Sequence, residues 1–129
     1  MAERKHFYSG TKWEKQIGYS RAVRTGNIIN VSGTASVEND KIVGPNDPYL
    51  QTKTIIGKIN TALNKLGAKL EDVVRVRIYV TKISYWDEAS KAYTEAFGNI
   101  KPAATLVEVN ALINPELLVE IEADAIVDE

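Results

Sequence analysis

The stretch KPAATLVEVNALINPELLVEIEADAIV, residues 101–127, carries two runs of alternating side chains broken by Asn114-Pro115. Successive side chains of an extended chain point to opposite faces, so each run describes two surfaces. In Leu106-Val107-Glu108-Val109-Asn110, Glu108 and Asn110 share a side with Leu106, while Val107 and Val109 point the other way. A half-buried strand is expected there. From Leu118 to Asp124 one face reads Glu120, Glu122, Asp124 and the other Val119, Ile121, Ala123. The apolar face belongs in a core, and the acidic face costs little if water covers it.

The same logic works upstream. Val73 to Thr81 sets Val74, Val76, Ile78 and Val80 against Arg75, Arg77, Tyr79 and Thr81, the pattern of a central strand. A helix is expected from Asp47, with Pro48 at its first position and Ile55, Ile56, Ile59, Ala62, Leu63 and Leu66 recurring at helical spacing up to a stop at Gly67. A second helix is expected after Ser84 as N-cap, with a stripe of Trp86, Ala89, Tyr93, Ala96 and Phe97 ending near Gly98. Tyr19–Arg24 and Ile28–Gly33, joined through Thr25-Gly26-Asn27, read as a hairpin. Tyr19, Arg21 and Val23 fall on one of its faces. Glu38–Lys41 and Val43–Asn46 read as loops. Strands mixed with helices in this order make an α+β domain, with two helices packed on one face of a mixed sheet of about six strands. The other face is left for water or another chain.

Composition narrows the function. A chain of 129 residues fits one domain spanning 1–129. Sixteen Lys plus Arg against 17 Asp plus Glu leave a net charge of −1, so no overall field draws in a polyanion or an anionic membrane. Cysteine is absent, which excludes disulfides, thiolate metal sites and a cysteine nucleophile, and points to the cytoplasm. No apolar run reaches the length of a membrane span, and no apolar segment follows the charged start. His6, the only histidine, falls in a terminus expected to fray, so neither a histidine triad nor a multi-histidine metal site is expected. No phosphate-cradling glycine motif supports a nucleotide cofactor. Neither metal nor cofactor is expected.

From Ile17 to Val127 the chain resembles the Rid (reactive intermediate deaminase) family, also called the YjgF type. The resemblance rests on Gly18-Tyr19, Gly26-Asn27 with Val31-Ser32-Gly33, Glu95-Ala96-Phe97, Lys101-Pro102-Ala103, Val107-Glu108-Val109 and Glu120-Ile121-Glu122-Ala123. It implies a chorismate-mutase-like homotrimer with ligand clefts between subunits. In the deaminating members an arginine follows the Pro-Ala pair and grips the carboxylate of an imine or enamine; this chain has Ala104, Thr105 and Leu106 there.

By that resemblance the cleft would be lined by Tyr19, Ser32, Gly33, Thr34, Ala104, Thr105 and Leu106, and Glu120 would match the glutamate beside the attacking water. Arg21, two positions beyond Tyr19, is the candidate to replace the missing arginine, because a guanidinium fork binds a carboxylate through paired hydrogen bonds. The alternative is a structural ion pair of Arg21 with Glu108, Glu120 or Glu122. Lys91 is a second substitute cation. Glu120 has its own bland alternative, a solubilising acid on a wet face. The function expected is the binding of a small carboxylated or carbonyl metabolite, with imine or enamine hydrolysis as its chemistry. The alternative is a non-catalytic binding trimer; a ribonuclease-like role, described for some relatives, ranks third.

Overall fold

The computed structural model describes residues 3–128. Its main sheet has six strands: β1 (Arg4–Phe7), β2 (Ala22–Thr25), β3 (Ile28–Ala35), β6 (Val73–Val80), β7 (Ala103–Glu108) and β8 (Val119–Ile126). Their spatial order is β1-β2-β3-β8-β6-β7. The last strand thus lies between β3 and β6, antiparallel to both. Only β6 and β7 pair in parallel, and the helix between them supplies the crossover that parallel neighbours need.

Helix α1 (Pro48–Lys65) begins as the sequence predicts: the Asp47 side chain accepts the Leu50 N–H at 3.0 Å, and Pro48 fills the first turn. Its stripe of Ile55, Ile56, Ile59, Ala62 and Leu63 is buried, and Gly67 turns the chain at φ +84°. Arg24 of β2 donates to the Leu66 carbonyl at 2.7 Å, satisfying one of the groups a helix end leaves open. Helix α2 (Trp86–Phe97) packs beside α1. Together they cover Ile29, Val31, Val76, Ile78, Val80, Val119, Ile121, Ala123 and Ala125. Gln51, fully buried, ties this layer to the chain before β8, donating to the carbonyls of Gly44 (3.0 Å) and Glu116 (2.9 Å) and accepting the Leu118 N–H (2.9 Å). The opposite face carries Arg75, Arg77, Tyr79, Glu120, Glu122 and Asp124, cross-linked by Arg77–Asp124 at 3.3 Å and by a hydrogen bond from Tyr79 to Glu122.

Several local expectations give way to packing. A register shift between Val73 and Arg75 puts Val73 in the core and leaves Val74 exposed by 44%. The Leu106–Asn110 run is not a half-buried strand: β7 ends at Glu108, lies at the sheet edge, and of the run only Leu106 and Val109 are partly covered. In α2 the buried residues are Ala89, Ala92 and Phe97, while Trp86 is 54% exposed and Ser84 makes no cap, because a 3-10 turn (Ile83–Tyr85) precedes the helix. The loop after β3 contains a minimal hairpin, β4 (Val37–Glu38) and β5 (Lys41–Ile42), closed by Asn39 and Asp40 at φ 51° and 64°. His6 is not in a frayed end, for β1 pairs with β2 along its length.

Ile59→Ala should lower the unfolding free energy by about 2–5 kcal/mol in urea melts, through lost burial and the cavity left behind. Trp86→Ala should change it by no more than about 0.5 kcal/mol; equal effects would contradict this core.

Candidate functional site

Arg21 precedes β2 and is held on both sides of its backbone: its N–H donates to the Phe7 carbonyl and its carbonyl accepts the Ser32 N–H, both at 2.9 Å. The side chain is buried. Nη1 donates to the Gly33 carbonyl at 2.6 Å and the Thr34 hydroxyl at 3.2 Å. Nη2 reaches the Tyr19 hydroxyl at 3.4 Å and Glu14 Oε2 at 3.5 Å, and Nε lies 3.5 Å from the same carboxylate oxygen without a hydrogen bond. The guanidinium also sits 5.5 Å from the centre of the Tyr19 ring.

Glu14 opens a π-helical turn (Glu14–Gly18) closed by the Tyr19 N–H on the Glu14 carbonyl at 3.0 Å and ended by Gly18 at φ +95°. Its carboxylate is buried and accepts the Ser9 N–H at 2.9 Å, the Ser9 hydroxyl, and the Thr11 hydroxyl at 3.0 Å. Burial resists its ionisation, but the hydrogen bonds from Ser9 and Thr11 and the charge of Arg21 outweigh that and hold its pKa below the usual 4.5. The pair fastens the Ser9–Tyr19 segment to β3.

On β3 the register with β8 slips between Val31 and Thr34, so Ser32-Gly33 forms a bulge. A Cβ on Gly33 would lie 2.7 Å from Glu120 Oε2. Only glycine lets this carboxylate rest against the backbone. Ser32 and Thr34 spend their hydroxyls locally, donating to the carbonyls of Ser20 (2.7 Å) and Ser32 (2.8 Å). Glu120, opposite Tyr79 on β6, receives no hydrogen bond among the described residues. Burial raises its pKa; Arg21 opposes the rise and Glu122 adds to it.

Tyr19, Arg21, Ser32, Gly33, Thr34 and Glu120 therefore converge. Ala104, Thr105 and Leu106 do not join them within one protomer: they lie on β7 opposite Val76, Arg77 and Ile78, and β8 and β6 intervene between that strand and β3. Three strand spacings amount to about 14 Å. Lys91 is exposed on α2, on the helical side of the sheet and away from Glu120. The acid paired with Arg21 is Glu14 rather than Glu108, Glu120 or Glu122; Glu108 instead accepts the Ile83 N–H at 2.8 Å. Glu14 escaped the sequence reading, although Thr11-Lys12-Trp13-Glu14 has the spacing by which a hydroxyl and a carboxylate meet at a helix start.

A family model described as endoribonuclease L-PSP matches residues 11–127. A RutC family protein of Pyrococcus abyssi is 39% identical, covering 88% of this chain and 91% of its own. An uncharacterized protein of Streptomyces coelicolor is 34% identical over 91% of this chain and 87% of that one. Among solved structures, a Mycobacterium tuberculosis member of the YjgF/YER057c/UK114 family is 47% identical with a TM-score of 0.89, covering 97% of this chain and 100% of that chain. A Rid-family protein of Yersinia pestis reaches a TM-score of 0.84 at 27% identity, over 97% and 100% of the two chains.

The two glutamates should respond oppositely to acid. The lowered pKa of Glu14 stabilises the fold fully above the unfolded value near 4.5 and loses that contribution as pH falls through the folded value. Glu14→Gln, which leaves Arg21 buried without its counter-charge, should cost about 3 kcal/mol at pH 7, and less in acid. The raised pKa of Glu120 stabilises only below the unfolded value and is lost as pH rises through the folded one, so Glu120→Gln should raise the melting midpoint at pH 7 and leave it unchanged in acid. Melting curves across pH check both signs.

Proposed function

The chain belongs to the endoribonuclease L-PSP family, the group that includes the YjgF, RutC and Rid proteins, and from that premise we propose that it binds a small carboxylated or carbonyl metabolite in a cleft between identical subunits and hydrolyses an imine there. The observation that carries this reading is Glu120: a half-buried carboxylate, its pKa raised by burial, laid against Gly33 of the β3 bulge, where a Cβ would displace it. A carboxyl group drawn toward neutrality accepts and returns a proton more readily than a solvated one. As water adds to the imine carbon, Glu120 takes its proton. It returns that proton to nitrogen, the C–N bond breaks, and the hydroxyl proton of the carbinolamine leaves with the ammonia as ammonium, giving the carbonyl. A protonated imine is already electrophilic, so positioning supplies much of the rate.

Arg21 enters as a positioning residue, since its donors are engaged by Gly33, Thr34, Tyr19 and Glu14. Ala104, Thr105 and Leu106 would close the cleft from a neighbouring subunit of a trimer, because one protomer sets them apart from Glu120. The exposed edge of β7 supports that assembly, as unpaired strand edges are covered in assembled proteins. The alternative is a binding trimer without chemistry, favoured by one feature: Ala104 stands where the deaminating relatives carry their arginine.

The test is the lifetime of 2-aminoacrylate, generated by a serine-consuming dehydratase and trapped with semicarbazide. The native protein should shorten it, and Glu120→Gln should slow that loss at least about tenfold, the lower bound for a lost acid–base group being larger still. No acceleration at any protein concentration would overturn the hydrolytic reading for this imine.

A further inference from the structure

A cleft of about 690 Å³ opens between β1 and the segment that Glu14 fastens down. Its size falls within the range of small-molecule pockets. Tyr19 is its one wall shared with the cluster around Glu120; the other walls take no part in the proposed reaction.

The floor is aromatic. The rings of His6 and Tyr8 lie parallel, 8° apart with centres separated by 6.0 Å, and Tyr8 is 59% exposed. An exposed aromatic ring held flat beside a second one offers a stacking surface. The rim is cationic: Lys12 and Lys15 line the same cleft, and neither has an acidic partner among the described residues. Lys12 holds its ammonium 5.2 Å from the centre of the Trp13 ring, which leaves its hydrogen-bond donors free for an anion. The one acid in the wall, Glu14, is already occupied by Ser9, Thr11 and Arg21. The field in the cleft is therefore positive.

The walls are also fixed before any ligand arrives. His6 lies in a paired strand, and its Nδ1 is 2.8 Å from the Ser20 hydroxyl. The facing segment is held by the Glu14 cluster, and at Gly10 and Gly18 a Cβ would meet nothing within 4 Å, so the mouth is open. A preformed site avoids the ordering cost of binding.

We propose that this cleft is a binding site for a planar aromatic monocarboxylate, its ring stacked on Tyr8 and His6 and its carboxylate held by Lys12 and Lys15. The site stands apart from Glu120 and from the hydrolytic reading. Two point charges match one carboxylate; a nucleic acid would need a longer cationic track.

The test titrates the full-length protein with phenylacetate, with its uncharged amide phenylacetamide, and with acetate, following backbone amide shifts and binding heat. Phenylacetate should bind saturably, shifting the amides of His6, Tyr8, Thr11 and Ser20, at least fivefold more tightly than the amide, and acetate should not bind measurably. A Lys12→Ala/Lys15→Ala double variant should bind acid and amide equally. Tyr8→Ala, a surface change, should lose both while melting like the native protein. Glu120→Gln should bind phenylacetate as the native protein does, so a failed hydrolysis assay leaves this result untouched. Equal affinity for acid and amide in the native protein, unchanged binding in the lysine variant, or shifts confined to Gly33 and Glu120 would overturn the proposal.

Discussion

The contact between Glu14 and Arg21 is the constraint from which the rest of the site follows. Two opposite charges removed from water lose several kcal/mol of hydration each, and their attraction restores it only when the remaining donors and acceptors are also satisfied. Here they nearly are: the carboxylate is met by Ser9 and Thr11, and the guanidinium by Gly33, Thr34 and Tyr19. Only Nε lacks a hydrogen bond. A pair this enclosed contributes more to a single geometry than to net stability. It selects one path for the Ser9–Tyr19 segment, which lies outside the sheet and outside α1 and α2, and that path forms both the wall behind Tyr19 and the mouth of the neighbouring cleft.

The same pair sets the electrostatics of Glu120. Arg21 approaches the bulge through the Gly33 carbonyl, while Glu120 lies against the spot where a Gly33 side chain would be. Apart from Nε, the arginine's donors are spent on Glu14, the Gly33 carbonyl and the hydroxyls of Thr34 and Tyr19, so its charge reaches Glu120 only as a field, which moderates the burial effect and does not cancel it. Two glutamates near one arginine thus acquire opposite characters. Glu14 is held toward its ionised form, and Glu120 is drawn toward its neutral one.

Much of this could be read from the chain. The alternation in Val119–Ala123 and Val76–Val80 placed both strands and their dry faces, and Asp47-Pro48 with the isoleucine stripe placed α1, because those signals are local and packing reinforces them. Where packing imposes a shift, no local pattern marks it. The bulge beside Val74 exchanges core and surface by one residue, and no period within the strand announces it. The Ala92 face of α2 is hidden in the sequence because Trp86 is the larger apolar residue, although the preceding 3-10 turn rotates it outward. For the site, Tyr19, Gly33 and Glu120 came from resemblance and fall together in space. Glu14 did not, since its partner lies seven residues away through a π-helical turn whose spacing matches no ordinary helical or strand period.

The measurement that bears most directly on this account is a double-mutant cycle between Glu14 and Arg21, built from Glu14→Gln, Arg21→Met and the double variant in urea melts at pH 7. A coupling of about 2 kcal/mol or more, near the upper end for residues sharing one network, is the expected result. Effects that add to within about 0.5 kcal/mol would mean the two side chains act independently and would contradict the claim that their contact organises the site.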